Sequence, residues 1–212
     1  MKKIIMGLLI LTISIGTFAQ KDKKASKILD AVIAKTEAQK TIEVDFTLTM
    51  NNPEAGINES KSGIIQIMGD SYRLDISEQV IISDGETMWT LLIEDEEVMI
   101  NEVEDDADAI TPSNLLNSYS DNYKSKFVKE DVIKGETVEI IELTPLKGRN
   151  FTKIRVLINK IKKQILSFSI YDKNGSTYSY IFNKYTTNKE IPLSAFTFKE
   201  IDYPDFEVVD MR

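Results

Sequence analysis

The feature that most limits what this chain can fold into is a change of period near residue 41. Asp22 to Lys40 reads as one helix, because Ala25, Ile28, Leu29, Val32, Ile33 and Thr36 form a single apolar stripe between charged faces. Beyond it, Ile42, Val44, Phe46, Leu48 and Met50 alternate with Thr41, Glu43, Asp45, Thr47 and Thr49. A period of two sends successive side chains to opposite faces, so this segment is a strand with one apolar face. Asn51-Asn52-Pro53 ends it, and Glu54 to Ser60 reads as a polar loop.

Short segments of the same kind follow closely, at 63–68, 72–76, 80–82, 87–93 and 98–103. A second series covers 125–130, 137–144, 152–159, 164–171, 176–185 and 195–203. Asp70-Ser71 and Ser83-Asp84-Gly85 separate some of them. Asp172-Lys173-Asn174-Gly175 is a hairpin turn, since Asn-Gly accepts the positive φ that tight turns demand. No stretch between strands has the pattern of a crossover helix, so the sheet should be antiparallel. Mid-chain, Thr111 can cap a short helix, Pro112 suits its first turn, and Leu115, Leu116 and Tyr119 give it an apolar patch. Glu102 to Asp108 before it is a solvated acidic loop.

The expected fold is therefore mainly β (α+β). It is one long antiparallel sheet that twists and curls toward a barrel, with a helix before it and a short helix inserted halfway. Thr87 to Ile93, which holds Trp89, is apolar on both faces and should lie centrally, with a helix on one face and the cavity or core on the other. Periodicity leaves open whether the interior is a filled core or a cavity; most apolar faces simply pack.

The N-terminus predicts the compartment. Lys2 and Lys3 precede an apolar run from Ile4 to Ile15, and Thr17-Phe18-Ala19 supplies small residues before a cut. The run is short of the roughly 20 residues that span a bilayer. A signal peptide over 1–19, a mature domain over 20–212 and a periplasmic location are expected. No cysteine stands at the cut to be lipidated.

Charge and composition exclude much chemistry. The formal net charge is −8, and loss of Lys2 and Lys3 makes the remainder more acidic. That opposes binding to nucleic acid, which needs a basic footprint, and to an anionic leaflet. Without cysteine or histidine there are no disulfides, no Ser-His-Asp or Cys-His pair and none of the usual zinc sites. Glu94-Asp95-Glu96-Glu97 lacks the ligand and glycine spacing of a calcium loop. Asn150-Phe151-Thr152 matches a glycosylation acceptor that means nothing in bacterial-type export. The expectation is a non-enzyme without cofactor or metal.

The stretch from Gly63 to Ile76 (GIIQIMGDSYRLDI), followed by Val80-Ile-Ile-Ser-Asp-Gly-Glu-Thr-Met-Trp89, resembles the outer-membrane lipoprotein carrier family (LolA-type). Thr111-Pro112 with Leu115-Leu116, Leu143-Thr144-Pro145 and Ala195-Phe196-Thr197-Phe198 match further elements in order. The resemblance implies an unclosed, strongly curved barrel with helices as a lid over a hydrophobic cavity. It also implies a carrier, working as a monomer, for the acyl chains of lipoproteins. The partners implied are an inner-membrane ABC-type release complex and an outer-membrane acceptor. Relatives of the same fold serve as lipid or glycolipid carriers or as envelope-stress sensors. On this reading Val44, Phe46, Leu48, Ile65, Ile67, Tyr72, Leu74 and Ile76 line the cavity, while Gln66, Arg73 and Asp75 mark the wetter face. The lid would carry Ile28, Leu29, Val32, Ile33, Leu115 and Leu116. One departure stands out: where the family has an Arg-Pro pair whose arginine bonds the lid, this chain has Gly69-Asp70, and Arg73 falls out of phase.

Overall fold

Helix α1 (Lys23–Glu37) starts at a built cap. Asp22 accepts from the backbone N–H groups of Lys24 and Ala25 at 3.0 and 3.1 Å, satisfying two donors that a helix start leaves open. The structure is a computed structural model that describes residues 22–103 and 119–212. The signal-like segment and the Leu115-Leu116 pair lie outside the described residues.

From β1 (Ile42–Asn52) the chain forms one sheet, twelve-stranded among the described residues. The first half adds β2 (Ile57–Met68), β3 (Ser71–Ile76), β4 (Gln79–Ser83), β5 (Thr87–Leu92) and β6 (Glu97–Glu102). After a helical turn, α2 (Tyr119–Asn122), come β7 (Tyr123–Ile133), β8 (Glu136–Pro145), β9 (Phe151–Asn159), β10 (Gln164–Asp172) and β11 (Thr177–Thr187), and β12 (Glu207–Asp210) closes the series. The spatial order is β12-β6-β5-β4-β3-β2-β1-β11-β10-β9-β8-β7, so β1 joins two meanders by pairing with β11. The ends of that order do not pair, and the curled sheet stays unclosed, as the family resemblance implies.

Three details differ from the expectation. Strand β2 begins at Ile57, because Ile57 and the polar residues 58–62 pair with β1, for example across Asn51↔Asn58 and Thr49↔Ser60. Residues 195–203 are not a strand. They take in the end of one 3-10 turn, Leu193–Phe196, and the whole of another, Glu200–Asp202, and the extended residues between them join no ladder. Finally, β12 runs parallel to β6.

The hairpin turns follow backbone chemistry. Gly69 takes φ +59 in the two-residue turn between β2 and β3, and Lys134-Gly135 takes φ +50 and +81 between β7 and β8. Positive φ in these turns matches the twist of the paired strands.

The strand registers give the sheet one continuous inner face. Phe127, Ile141, Val156 and Phe168 share it with Tyr180, Leu48 and Phe46. Across β2 and β3 it continues through Ile65 and Leu74. Helix α1 lies on this face over β7 and β10, where Ala25, Ile28, Leu29 and Val32 bury against Ile141, Leu143, Ile154 and Val156. Its ends are tied down. Asp22 also accepts from the N–H of Phe127 at 2.8 Å, so the cap fastens the helix to β7. Just past the helix, Lys40 N–H donates to Asn188 Oδ1 at 2.8 Å and Thr41 Oγ1 to Lys189 O at 2.6 Å.

Candidate functional site: an apolar inner face and its cleft

The predicted cavity residues fall together on the inner face of β1–β3. Register pairs Val44 with Ile65 and Ile65 with Leu74, and likewise Ile42 with Ile67 and Ile67 with Tyr72. Val44, Phe46 and Ile65 are buried with Ile42; Leu48, Ile67, Leu74 and Ile76 pack on them while half-buried. Tyr72 is half-buried and directs its hydroxyl to Met88 Sδ at 3.5 Å, and burial raises its pKa.

Phe46 shows why β2 carries a glycine. A Cβ on Gly63 would stand 2.5 Å from Phe46 Cζ and 2.7 Å from the Asp75 carbonyl oxygen. The bare backbone is the seat of the phenyl ring. The ring then reaches Tyr180 at 5.9 Å between centroids, and Tyr180 stacks on Phe168 at 4.6 Å. This aromatic band connects the β1–β3 cluster to the helix-covered one.

Gln66, Arg73 and Asp75 sit on the outer face. Gln66 Nε2 donates to Glu43 Oε2 at 2.7 Å, and Lys189 Nζ donates to the same carboxylate. Lys189 first, then Gln66, holds the Glu43 carboxyl below its usual range. Arg73 makes a two-pronged contact with Asp75, at 2.9 Å for both bonds. Arg73 therefore serves the outer face and does not reach the inner one in place of the family arginine. Gly69 itself is in a turn where an added Cβ would meet nothing within 4 Å among the described residues.

Of the predicted lid residues, Ile28, Leu29 and Val32 are buried and Ile33 half-buried, all in the cluster with β8–β10. They cover the half of the inner face away from β2 and β3. Tyr119 of α2 fastens α1 from the side, its hydroxyl donating to Asp30 Oδ1. Burial and then that carboxylate push the phenol up to about 12.

Trp89 faces outward with Ile82 and Ile100. Phe198, Tyr203 and Phe206, from the segment after β11, pack on this side with Val80, Ile82, Leu91 and Val98. Among the described residues the outer cover of this strand is therefore the segment after β11 with its 3-10 turns, in place of the expected helix.

Beyond Leu48 and Ile76 the inner face opens into a cleft of about 450 Å³. Met50, Tyr178 and Leu92 complete its apolar floor, and Glu59, Lys61, Glu78, Glu94 and Asp95 stand around it. Sequence reasoning missed this part, because residues 54–60 read as a loop. The alternation that carries β1 on to Met50 was the available signal.

An unclosed, curled β-sheet whose apolar inner face bears an N-terminal helix defines the LolA-like class of fold. The family model described as "Outer membrane lipoprotein carrier protein LolA" matches residues 37–199, and the chain belongs to this family. No curated protein matches it by sequence. Among solved structures, it is similar to an uncharacterized conserved protein from Thermus thermophilus, with TM-score 0.62 and 12% identity over 89% of this chain and 99% of that one. Lipoprotein LppX of Mycobacterium tuberculosis gives TM-score 0.49 and 12% identity, over 81% and 99%. An outer membrane lipoprotein-sorting protein domain from Vibrio parahaemolyticus gives 0.47 and 12%, over 82% and 96%. At such identities the likeness is one of fold.

Proposed function

We propose that this protein is a periplasmic carrier that shelters the acyl chains of lipoproteins between an inner-membrane ABC-type release complex and an outer-membrane acceptor. The observation that carries the reading is the row of half-buried apolar side chains on the inner face. Leu48, Ile67, Leu74 and Ile76 lead from the packed Val44–Phe46–Ile65 cluster into the cleft. Membership in the carrier family supports the same reading.

The physics of release suits such a surface. Burying one methylene contributes about 0.8 kcal/mol, so several acyl chains in a dry pocket would bind too tightly to let go. Side chains that already pack on one another must part to admit a chain, and their lost contacts offset part of that gain. Nothing in this cycle breaks or forms a covalent bond in the cargo, so the role needs no catalytic residue.

Two measurements test the proposal. Protein purified from its own host should carry intact lipoprotein, identified by mass spectrometry, and depletion should strand lipoproteins at the inner membrane. Unaltered lipoprotein sorting on depletion would sink the carrier role. Ile67→Glu should abolish cargo binding and keep the β-sheet circular dichroism. A variant that unfolds instead would mean that this face is ordinary packed core.

A further inference from the structure

The inner wall changes character along its strands. On β2 the inward positions run Ile67, Ile65, Gly63, Lys61, Glu59, as their pairing with Ile42, Val44, Phe46, Leu48 and Met50 requires. The half near Ile67 is apolar, and the half near Glu59 is charged. The neighbouring turns add to the charged end. Glu78 lies in the β3–β4 turn, Glu94 and Asp95 lie in the β5–β6 turn, and the Ile93 N–H donates to Glu78 O at 2.8 Å, holding the two turns side by side. Glu59, Lys61, Glu78, Glu94 and Asp95 all line the cleft. Lys61 is its single cation among the described residues, and it lies 3.8 Å from Glu78. Four carboxylates thus face one ammonium around an apolar floor.

We infer that the cleft selects an amphiphile with a cationic head, lying with its tail toward Ile65 and Ile67 and its positive group at the mouth between Glu59, Glu94 and Asp95. The inference rests on the carrier reading above and adds the charge and direction of the cargo. For a lipoprotein, the positive group would be an amine or basic side chain close to the acylated residue.

The polarity gradient fixes the direction. A tail laid the other way would press methylenes on Glu59 and Lys61 and leave the charged head over Ile65 and Phe46, and both arrangements are unfavourable. The excess of acid fixes the sign. Attraction between a cationic head and carboxylates exposed to solvent is modest and screened by salt, so the preference belongs to low ionic strength.

The test compares three ligands with the same twelve-carbon tail, each below its micelle-forming concentration: dodecyltrimethylammonium, dodecyl maltoside and laurate. Calorimetric titration at low salt should rank them cationic, nonionic, anionic, with steps of about three- to tenfold in Kd. The triple variant Glu59→Gln, Glu94→Gln, Asp95→Asn changes exposed side chains only, and its fold is checked by circular dichroism. It should keep nonionic binding and bring the other two to within about twofold of it. High salt should do the same to the unaltered protein. Equal binding of all three ligands, or an order that survives the triple variant, would overturn the inference and leave the carrier reading standing. Failure of every ligand to bind would overturn both.

Discussion

Over β7–β10 the inner face meets α1 and is packed out: Leu29, Ile141, Ile154 and Ile158 have no exposed surface at all. Over β1–β3 the same face carries Leu48, Ile67, Leu74 and Ile76 only half-buried, around a smaller core of Val44, Phe46 and Ile65. Both halves come from the same alternating pattern on antiparallel strands. What separates them is the cover. One half is an ordinary core in which a helix fills the space above the strands. The other keeps apolar surface partly open, which is the condition for trading internal contacts for those of a ligand. Alternation in a sequence therefore identifies an inward face without identifying its use.

The largest expected contrast is between large-to-small changes in the two halves. Leu29→Ala leaves a cavity under the helix and should lower stability by about 2–5 kcal/mol in urea unfolding. Ile67→Ala removes atoms that are already half-exposed and should cost about 1 kcal/mol. Equal losses would break the distinction between core and open face. Next is Gly63→Ala, whose methyl would collide with the Phe46 ring and the Asp75 carbonyl. It should cost about 1–3 kcal/mol. Adding Phe46→Leu should recover part of that loss, because the ring is the movable one of the two obstacles.

A smaller effect sharpens the account of how the helix is held. Asp22→Ala removes the cap and the tie to β7, for about 1 kcal/mol. The hydrogen bonds from Phe127, Ala25 and Lys24 depress the Asp22 pKa, that from Phe127 most. A depressed carboxyl stabilises the fold above its unfolded pKa of about 4 and loses that contribution as pH falls through the lower folded value. The gap in stability between Asp22→Ala and the unaltered protein should thus be full at about pH 6 and narrow below about pH 4. The smallest effect concerns Tyr119, held neutral to about 12. A raised phenol pKa stabilises the fold below about pH 10, and this support is lost as pH climbs toward about 12. Burial also raises Tyr72, Tyr123, Tyr180 and Tyr185, so Tyr119→Phe should remove one phenol from the late part of the ultraviolet titration and leave the other late-ionising tyrosines in place.

The local pattern of the fold was largely legible in the sequence, and its long-range connections were not. The period-two run of β1 and the 3.6-period stripe of α1 are statements about neighbours, and neighbours are what periodicity reports. Phe196-Thr197-Phe198 alternates like a strand, and Thr197 does adopt extended dihedrals (φ −135, ψ 130). Yet the residue pairs with nothing in the sheet, because alternation describes a conformation and not a hydrogen-bond partner. Residues 57–62 failed in the opposite sense: a polar sequence is a strand because β1 supplies its ladder. For the site, alternation assigned the inward residues of β1–β3 to one face, and register brings them together. The acidic mouth needs the β3–β4 and β5–β6 turns side by side, which depends on topology.

The pairing of β1 with β11 has a consequence for how the molecule comes into being. Thr41, just before β1, bonds Lys189, 148 residues further along the chain. As the chain emerges from its N-terminus, β1 finds β2 at once, but its other edge waits until almost the whole polypeptide has been delivered. Closing so long a loop slows folding, and meanwhile the open edge of β1 is a template for any other extended chain. The half of the sheet that bears the cleft is completed last, and until β11 arrives the edge of β1 is an exposed site for aggregation.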